Sequence, residues 1–375
     1  MFLSELVDCI DNRTVNVLLN EIVAATSTEE PLVHSKVVNP HNFNYLIEPG
    51  QLVCGADQGE SLFLIVYVHS EPSNLKRRIC IRETWSKQSM FRRVRLVFML
   101  GLSMDTRQNE LVRLESSMYG DIVQENFMDS YKNLTYKGIM AMKWLSERCS
   151  RVPYVLKADD DMVVNTFTLV RHLYNMNRRQ IATQRTIMCL VWVGMGVIRD
   201  KSSKWYISPA EFAKNTYDTY CSGSAFILTG DLTAPMFNVS FYIKFFWVDD
   251  FHISGQMAKA VNASHYAFNS LYMINTYLVE STFLNSKQHL YTVFGHLPSH
   301  LNAIYSIWDY IVRFQLTRFP SLFKANATLV QPNDFKYLSS FKWSTDIWQP
   351  LIEAQYEPSF DDYDTKLDKS ITVDI

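Results

Sequence analysis

The segment Ser61–Val68, SLFLIVYV, is a continuous apolar run of strand length that stops at His69, Ser70, Glu71 and Pro72. A strand with no polar face must be covered on both sides, which places it inside a parallel sheet. The pattern repeats. VRLVFMLG (Val94–Gly101) reads as a second buried strand stopped by glycine, DIVQENF (Asp121–Phe127) as a short third, and Tyr154–Lys157 as a fourth. Between them, helical spacing predicts helices over Arg77–Gln88, over Met104–Tyr119 with Gly120 as the stop, and over Asn133–Arg148. Buried strands alternating with amphipathic helices predict a three-layer α/β domain. In such sheets the functional loops lie at the carboxyl ends of the strands. The turn Ser70–Pro72 and the run Asp159–Asp161 both fall at such ends.

The 375 residues, 47% hydrophobic and 20% charged, suffice to bury a substantial core. Residues 1–58 mix helical periodicity with proline punctuation and read as a stem or lead-in. Residues 59–310 form the main domain, 311–354 an extension packed on it, and 355–375 an acidic tail. From Glu357 onward six acidic residues face two basic ones, the mark of a solvated tail. IMCLVWVGMGVI (Ile187–Ile198) is too short to span a membrane and reads as a buried strand with a glycine-bearing end. Beyond it the pattern loosens into loops and short strands.

Lys and Arg number 36 against 38 Asp and Glu, a net charge of −2 that offers no basic face to a nucleic acid. Cys9, Cys54, Cys80, Cys149, Cys189 and Cys221 are too widely spaced for a structural zinc. One to three disulfides and free thiols both remain open. Sequons begin at Asn12, Asn133, Asn238, Asn262 and Asn326, candidate N-glycosylation sites that support a secretory route. No stretch reaches the ~20 apolar residues of a membrane span, and the opening MFLSELVDCIDNRT meets Glu5 and Asp8 before any apolar run develops.

KADDDMVVN (Lys157–Asn165) is the sharpest local signal. Three successive carboxylates after an apolar strand repel one another unless something positive lies between them. A hard divalent cation with oxygen ligands answers that need, and Mg²⁺ or Mn²⁺ would bridge the carboxylates to a diphosphate. A solvated acidic turn is the other reading of the triplet alone, but strand-like segments flank it on both sides. Arg77, Arg78 and Arg82 follow the first strand, where they would either meet an anionic diphosphate or form the basic face of a helix.

RRICIRETW (Arg77–Trp85), FMLG (Phe98–Gly101), ENFMDSYKNLTYK (Glu125–Lys137), KADDDMVVN, SKWYIS (Ser203–Ser208), YCSGSAFIL (Tyr220–Leu228) and VDDFHISG (Val248–Gly255) occur in order. Together they resemble the β-1,3-galactosyltransferase family, with its β-1,3-N-acetylglucosaminyltransferase and Fringe-like relatives. A fainter echo lies at FGHLPSHLNAIYSIW (Phe294–Trp308). The resemblance implies a GT-A-type, Rossmann-like α/β/α fold with a looser acceptor-binding C-terminal half. It implies an inverting enzyme that moves a hexose, galactose first and N-acetylglucosamine as the alternative, from a UDP-sugar to a glycan on a glycoprotein or glycolipid, with Mn²⁺ or Mg²⁺. A Golgi membrane location goes with it, through an N-terminal anchor that is not visible in this sequence.

Inversion needs a general base on the acceptor hydroxyl. The resemblance places it at Asp250, with Asp249 the residue better suited to capping the helix that follows. It implies Asp161 as a metal ligand with His296 completing the shell, Asp159 and Asp160 contacting the ribose or holding the site, and Asp129 and Lys137 either serving the donor or fixing the loop that shapes it; Arg78 and Arg82 are placed on the UDP-sugar side. The chain departs from the family at Asp249, where Glu is usual, and at Gly138, where Thr is usual. Asp218 and Thr219 replace a proline-containing turn. At Ser224–Phe226, in place of a glycine-rich segment, the methyl of Ala225 is expected to crowd the donor sugar. A non-catalytic, glycan-binding or escort relative is the competing reading. Such a protein could dispense with the carboxylates that this chain keeps.

Overall fold

The computed structural model describes residues 36–318. In chain order the strands are β1 (Tyr45–Ile47), β2 (Leu64–His69), β3 (Val94–Leu102), β4 (Ile122–Met128), β5 (Tyr154–Asp159), β6 (Met162–Val164), β7 (Thr186–Trp192), β8 (Tyr220–Thr229), β9 (Ser264–Ala267), β10 (Tyr272–Met273) and β11 (Phe294–His296). The main helices are α1 (Gln51–Cys54), α2 (Leu75–Glu83), α3 (Thr106–Tyr119), α4 (Leu134–Arg148), α5 (Thr166–Arg178), α6 (Thr233–Ser240), α7 (Asp249–Phe251, continued by a π turn), α8 (Thr276–Leu284) and α9 (Leu301–Arg318).

One sheet runs β1-β4-β3-β2-β5-β8-β7-β9, and a small second sheet runs β10-β11-β6. β4, β3, β2 and β5 are parallel, while β8 lies antiparallel to both β5 and β7. Every residue of β2 is buried. One face of the sheet is covered by Ile81 and Trp85 at α2, Val112 of α3, Leu173 of α5 and Ile307 of α9; the other by Trp144 of α4, Met236 of α6 and Met257. This is the layered α/β/α arrangement the alternating pattern predicts. α3 ends where expected, on Gly120 at φ 64°, whose N–H donates to the Ser116 carbonyl.

The strand order fixes the site. From β2 the chain proceeds outward through β3 to β4, then returns to lay β5 on the other side of β2. Order reverses there, and His69 and Asp159 stand side by side at the two strand ends. Such a reversal opens a crevice at the carboxyl ends, where ligands bind in open α/β sheets.

Several expectations need correcting. The helix predicted over Arg77–Gln88 spans Leu75–Glu83, because the backbone turns away at Thr84 and buries Trp85 completely. The strand predicted over Ile187–Ile198 ends at Trp192, and the chain turns at Gly194 in a left-handed conformation (φ 63°). The boundary at residue 58 lies too late. β1 pairs with β4, Val38 and Asn39 donate to the Phe241 carbonyl, and Cys54 is bonded to Cys149. A three-residue strand covering a sheet edge has too few residues to show a period. The boundary at residue 310 cuts α9, which is continuous to Arg318. A second disulfide joins Cys189 to Cys221, and Cys80 is a buried free thiol. Cys9, Asn12, Asn326 and residues 319–375, with the acidic tail, lie outside the described residues.

Candidate active site

The three aspartates sit in three different environments. Asp160 is buried and fully engaged: its Oδ2 accepts from Ser70 Oγ at 2.7 Å and Asn74 Nδ2 at 2.9 Å, and its Oδ1 from Arg77 at 3.3 Å. It ties the β5 end to the β2 end. Asp161 starts the turn into β6, and the pairing of Met162 with His296 across β6 and β11 carries His296 to it. His296 Nε2 lies 3.2 Å from Asp161 Oδ2. Burial pushes the Asp161 carboxyl up, but His296, Arg77 and Lys157 outweigh it and hold it below the ordinary range. His296 is raised in turn, first by its contact with Asp161. Asp159 is raised by burial and by the Asp161 and Asp249 carboxylates, against the pull of Lys157. The final Asn165 of the motif is structural: its Oδ1 caps α5 at Thr168 N and its Nδ2 donates to the His289 carbonyl.

Of the three arginines, the structure brings Arg77 to the triplet, not Arg78 or Arg82. Arg77 reaches Asp160, lies 3.8 Å from Asp161 Oδ2 and donates to the Pro298 carbonyl. Arg78 is fully buried and forks onto Glu115 (2.7 and 2.9 Å), with further bonds to Ser70 and to the Glu71 and Pro72 carbonyls. Arg82 is bonded to Asp121 and Glu115. Both are taken up by buried carboxylates on the α3 side and neither touches the triplet, which corrects their placement on the UDP-sugar side. Successive helical residues are turned ~100° apart, so adjacent arginines cannot share a role. Arg78→Met is expected to destabilise the fold by about 3 kcal/mol, the cost of breaking a buried bidentate pair and leaving Glu115 with Arg82 alone, with nucleotide affinity unchanged in the folded fraction. Chemical denaturation and UDP titration of the same preparation check it.

Asp129 and Lys137 are also turned inward. Asp129 accepts from Gly101 N (2.8 Å) and Lys137 Nζ (2.9 Å), and Lys137 donates to the Ser70 carbonyl at 2.6 Å. They lock the ends of β2, β3 and β4 together and so shape the loop beside the triplet. A methyl group on Gly101 would stand 2.8 Å from the Phe127 carbonyl, so that strand end tolerates only glycine.

Asp250 approaches from the other side, at the start of α7. Its Oδ1 accepts from Phe251 N, and its carbonyl accepts from Ser254 Oγ, which also receives Cys221 N. Asp250 packs on Gly223, where an added Cβ would come within 3.0 Å of the Asp250 Cβ. That segment of β8 bulges. Cys189 faces Phe226 and Val191 faces Cys221, so Ser222–Ala225 oppose Leu190 alone. Burial, and the neighbouring Asp249, push the Asp250 carboxyl upward.

Two departures from the family pattern can now be placed. Ala225 is fully buried in the core with Leu156 and Ile227, so its methyl does not crowd a donor sugar as expected. Beside Gly138, the space a larger residue would need is filled by Ile253, 3.1 Å from the ideal Cβ position.

Sequence reasoning named Arg77 beside Arg78 and Arg82 without singling it out, and it missed two groups. Lys157, buried with its Nζ 2.5 Å from Asp159 Oδ1, is one; a lone cation inside an apolar strand was its visible signal. The other is an aromatic ledge: Trp205 Nε1 donates to Tyr131 Oη at 2.9 Å, and both rings are about half exposed. Tyr131 also packs against Trp247, two residues before Asp249, and burial followed by the Asp249, Asp250 and Asp159 carboxylates pushes its hydroxyl upward. Among the sequons, Asn262 is exposed at a left-handed turn, Asn238 is exposed on α6, and the Asn133 amide donates to the Met128 carbonyl.

The residues present fit a divalent ion at Asp161. Its Oδ1 is buried with no hydrogen-bond partner, an orphaned anionic acceptor, and His296 is a second ligand type beside it. Among the described residues no group of three or more His, Cys, Asp and Glu is placed to hold a metal. Two protein ligands with the rest from water and phosphate is the usual arrangement for a nucleotide-bridging ion.

The family model described as Galactosyltransferase matches residues 76–269, a span that takes in the triplet, the β8 bulge and Asp250. The chain belongs to this galactosyltransferase family. It is 30% identical over 224 residues to mouse beta-1,3-galactosyltransferase 1, covering 59% of this chain and 66% of that protein. To human beta-1,3-galactosyltransferase 2 it is 33% identical over 229 residues, covering 59% of this chain and 52% of that one. The chain thus spans between half and two thirds of the length of these relatives. Among solved structures, the WbbM bifunctional glycosyltransferase aligns with a TM-score of 0.36 and 11% identity, over 67% of this chain and 51% of that one.

Proposed function

We propose that this protein is an inverting glycosyltransferase that moves galactose from UDP-galactose to a glycan acceptor in β-1,3 linkage. One observation carries the reading: Asp159–Asp161, Arg77 and His296 gather at the end of β5 where the strand order reverses, and the neighbouring strand β8 carries the bulge on which Asp250 packs. In this reading Asp161 and His296 would hold Mn²⁺ or Mg²⁺, whose charge would offset that of a departing diphosphate. Asp159 holds the ribose side of the donor, and Asp160 keeps the two strand ends at a fixed distance. Arg77 adds positive charge at the diphosphate. Asp250 accepts the proton of the attacking hydroxyl as the C1–O bond forms on one face of the sugar and the bond to UDP breaks on the other. The names of the relatives support galactose and the β-1,3 linkage. Two disulfides and the sequons support folding in the secretory pathway and a lumenal Golgi location. Among the described residues no helix is long and apolar enough to cross a membrane.

A panel of UDP-sugars with Mn²⁺ or Mg²⁺ and simple β-linked acceptors tests the reading. UDP release from UDP-galactose that depends on both metal and acceptor supports it, whereas no turnover of any UDP-sugar and no metal-dependent UDP binding would end it. The Tyr131–Trp205 ledge is then the acceptor wall, since flat rings beside polar groups suit the apolar faces of a sugar. Trp205→Ala is expected to raise the acceptor KM about tenfold, equivalent to ~1.4 kcal/mol of lost contact, and to leave the donor KM unchanged.

A further inference from the structure

The base and the donor carboxylates come from opposite ends of the site, and one buried side chain touches the supports of both. Lys157 lies on β5 with its side chain 2% exposed. Its Nζ donates to Asp159 Oδ1 at 2.5 Å and, across the sheet, to the Gly223 carbonyl on the β8 bulge. Gly223 is the residue against which Asp250 packs. An ammonium inside a sheet is costly unless carboxylates offset the burial; Asp159 does so by contact, and the Asp249 and Asp250 charges add to it.

We propose that Lys157 is a positioning residue shared by the two halves of the site. Its ammonium holds the donor-side carboxylate and the wall behind the base in one buried contact, and its positive charge works against proton uptake at Asp250. The inference rests on the transferase reading only for what Asp250 does, not for the contact itself. The other groups that act on the Asp249–Asp250 pair are Tyr67 from β2, Asp159 from β5, Lys137 from α4, Tyr131 from the loop before α4, and Tyr217 and Tyr220 at the entry to β8. Of these cations, Lys137 is held by Asp129 and Ser70, whereas Lys157 alone bonds to the Gly223 carbonyl.

The test compares Lys157→Gln, which keeps a hydrogen-bond donor and removes the charge, with Lys157→Arg, which keeps the charge. The readout is a carboxyl-carbon NMR titration of the whole protein, with Asp250 assigned through Asp250→Asn, so no turnover is needed. In Lys157→Gln the Asp250 midpoint is expected to move upward by about one pH unit or more, and in Lys157→Arg to stay within a few tenths of the wild type. An unmoved midpoint in Lys157→Gln, or equal movement in the two variants, overturns the proposal. If Lys157→Gln does not fold, a midpoint in Lys157→Arg displaced upward by a full unit overturns it as well. Wild-type protein inactive on every UDP-sugar would count against the transferase reading and leave this titration to be judged on its own result.

Discussion

Asp250→Asn is expected to lower kcat for galactosyl transfer about 10³-fold while UDP still binds with wild-type affinity in the presence of metal. The amide keeps the shape, the Phe251 N–H contact and the packing on Gly223, but it cannot take a proton; general-base loss falls in the 10²–10⁴ range. The same group sets the pH profile. Burial and Asp249 push its carboxyl up to about 7. A base works only when deprotonated, so kcat/KM should fall as pH drops through that value and level off above it. A profile flat down to the ordinary carboxylate range, or a variant that keeps most of its kcat, would remove Asp250 from the base role.

Asp161→Ala is expected to abolish metal-dependent UDP binding and to lower turnover by at least ~10³-fold, the several kcal/mol that charge stabilisation at a leaving diphosphate supplies. Binding is read by calorimetry with and without Mn²⁺. The variant should fold, because Asp161 is partly exposed and its neighbour Asp160, not Asp161, ties the strand ends together. If UDP binds Asp161→Ala with undiminished metal dependence, the ion sits elsewhere. Asp160→Ala offers the contrast: it removes three hydrogen bonds to Ser70, Asn74 and Arg77 and should show first as lost stability.

The sheet was legible because its strands are apolar on both faces, and that pattern has no rival reading in β2, β3 and β5. The triplet was legible because charge at the end of such a strand is conspicuous. What stayed hidden depended on direction. RRICIRETW contains the arginine that faces the triplet, but a single sequence does not say which side of α2 faces the crevice. The answer depends on Glu115 and Asp121, which α3 and the segment after it bring to the other side. β1 stayed hidden because three residues at a sheet edge obey their partner strand more than any period. The end of β7 was misread because VWVGMGVI is as apolar as a strand. There, Val193, Met195 and Ile198 stand more than a third exposed along the loop that follows.

The Asp161–His296 contact joins residues 135 apart, brought together by the narrow pairing of β6 with β11 and by the Leu297 N–H on the Asp161 carbonyl. Synthesis proceeds from the N-terminus, so the first half of the sheet can close while the second half of this ion pair is still unmade. A chain stopped short of Phe294 would carry the whole triplet and still lack its imidazole. Nucleotide and metal, by binding only where both are present, would stabilise finished molecules over unfinished ones. Donor binding would therefore act as a proofreading step on the protein's own assembly.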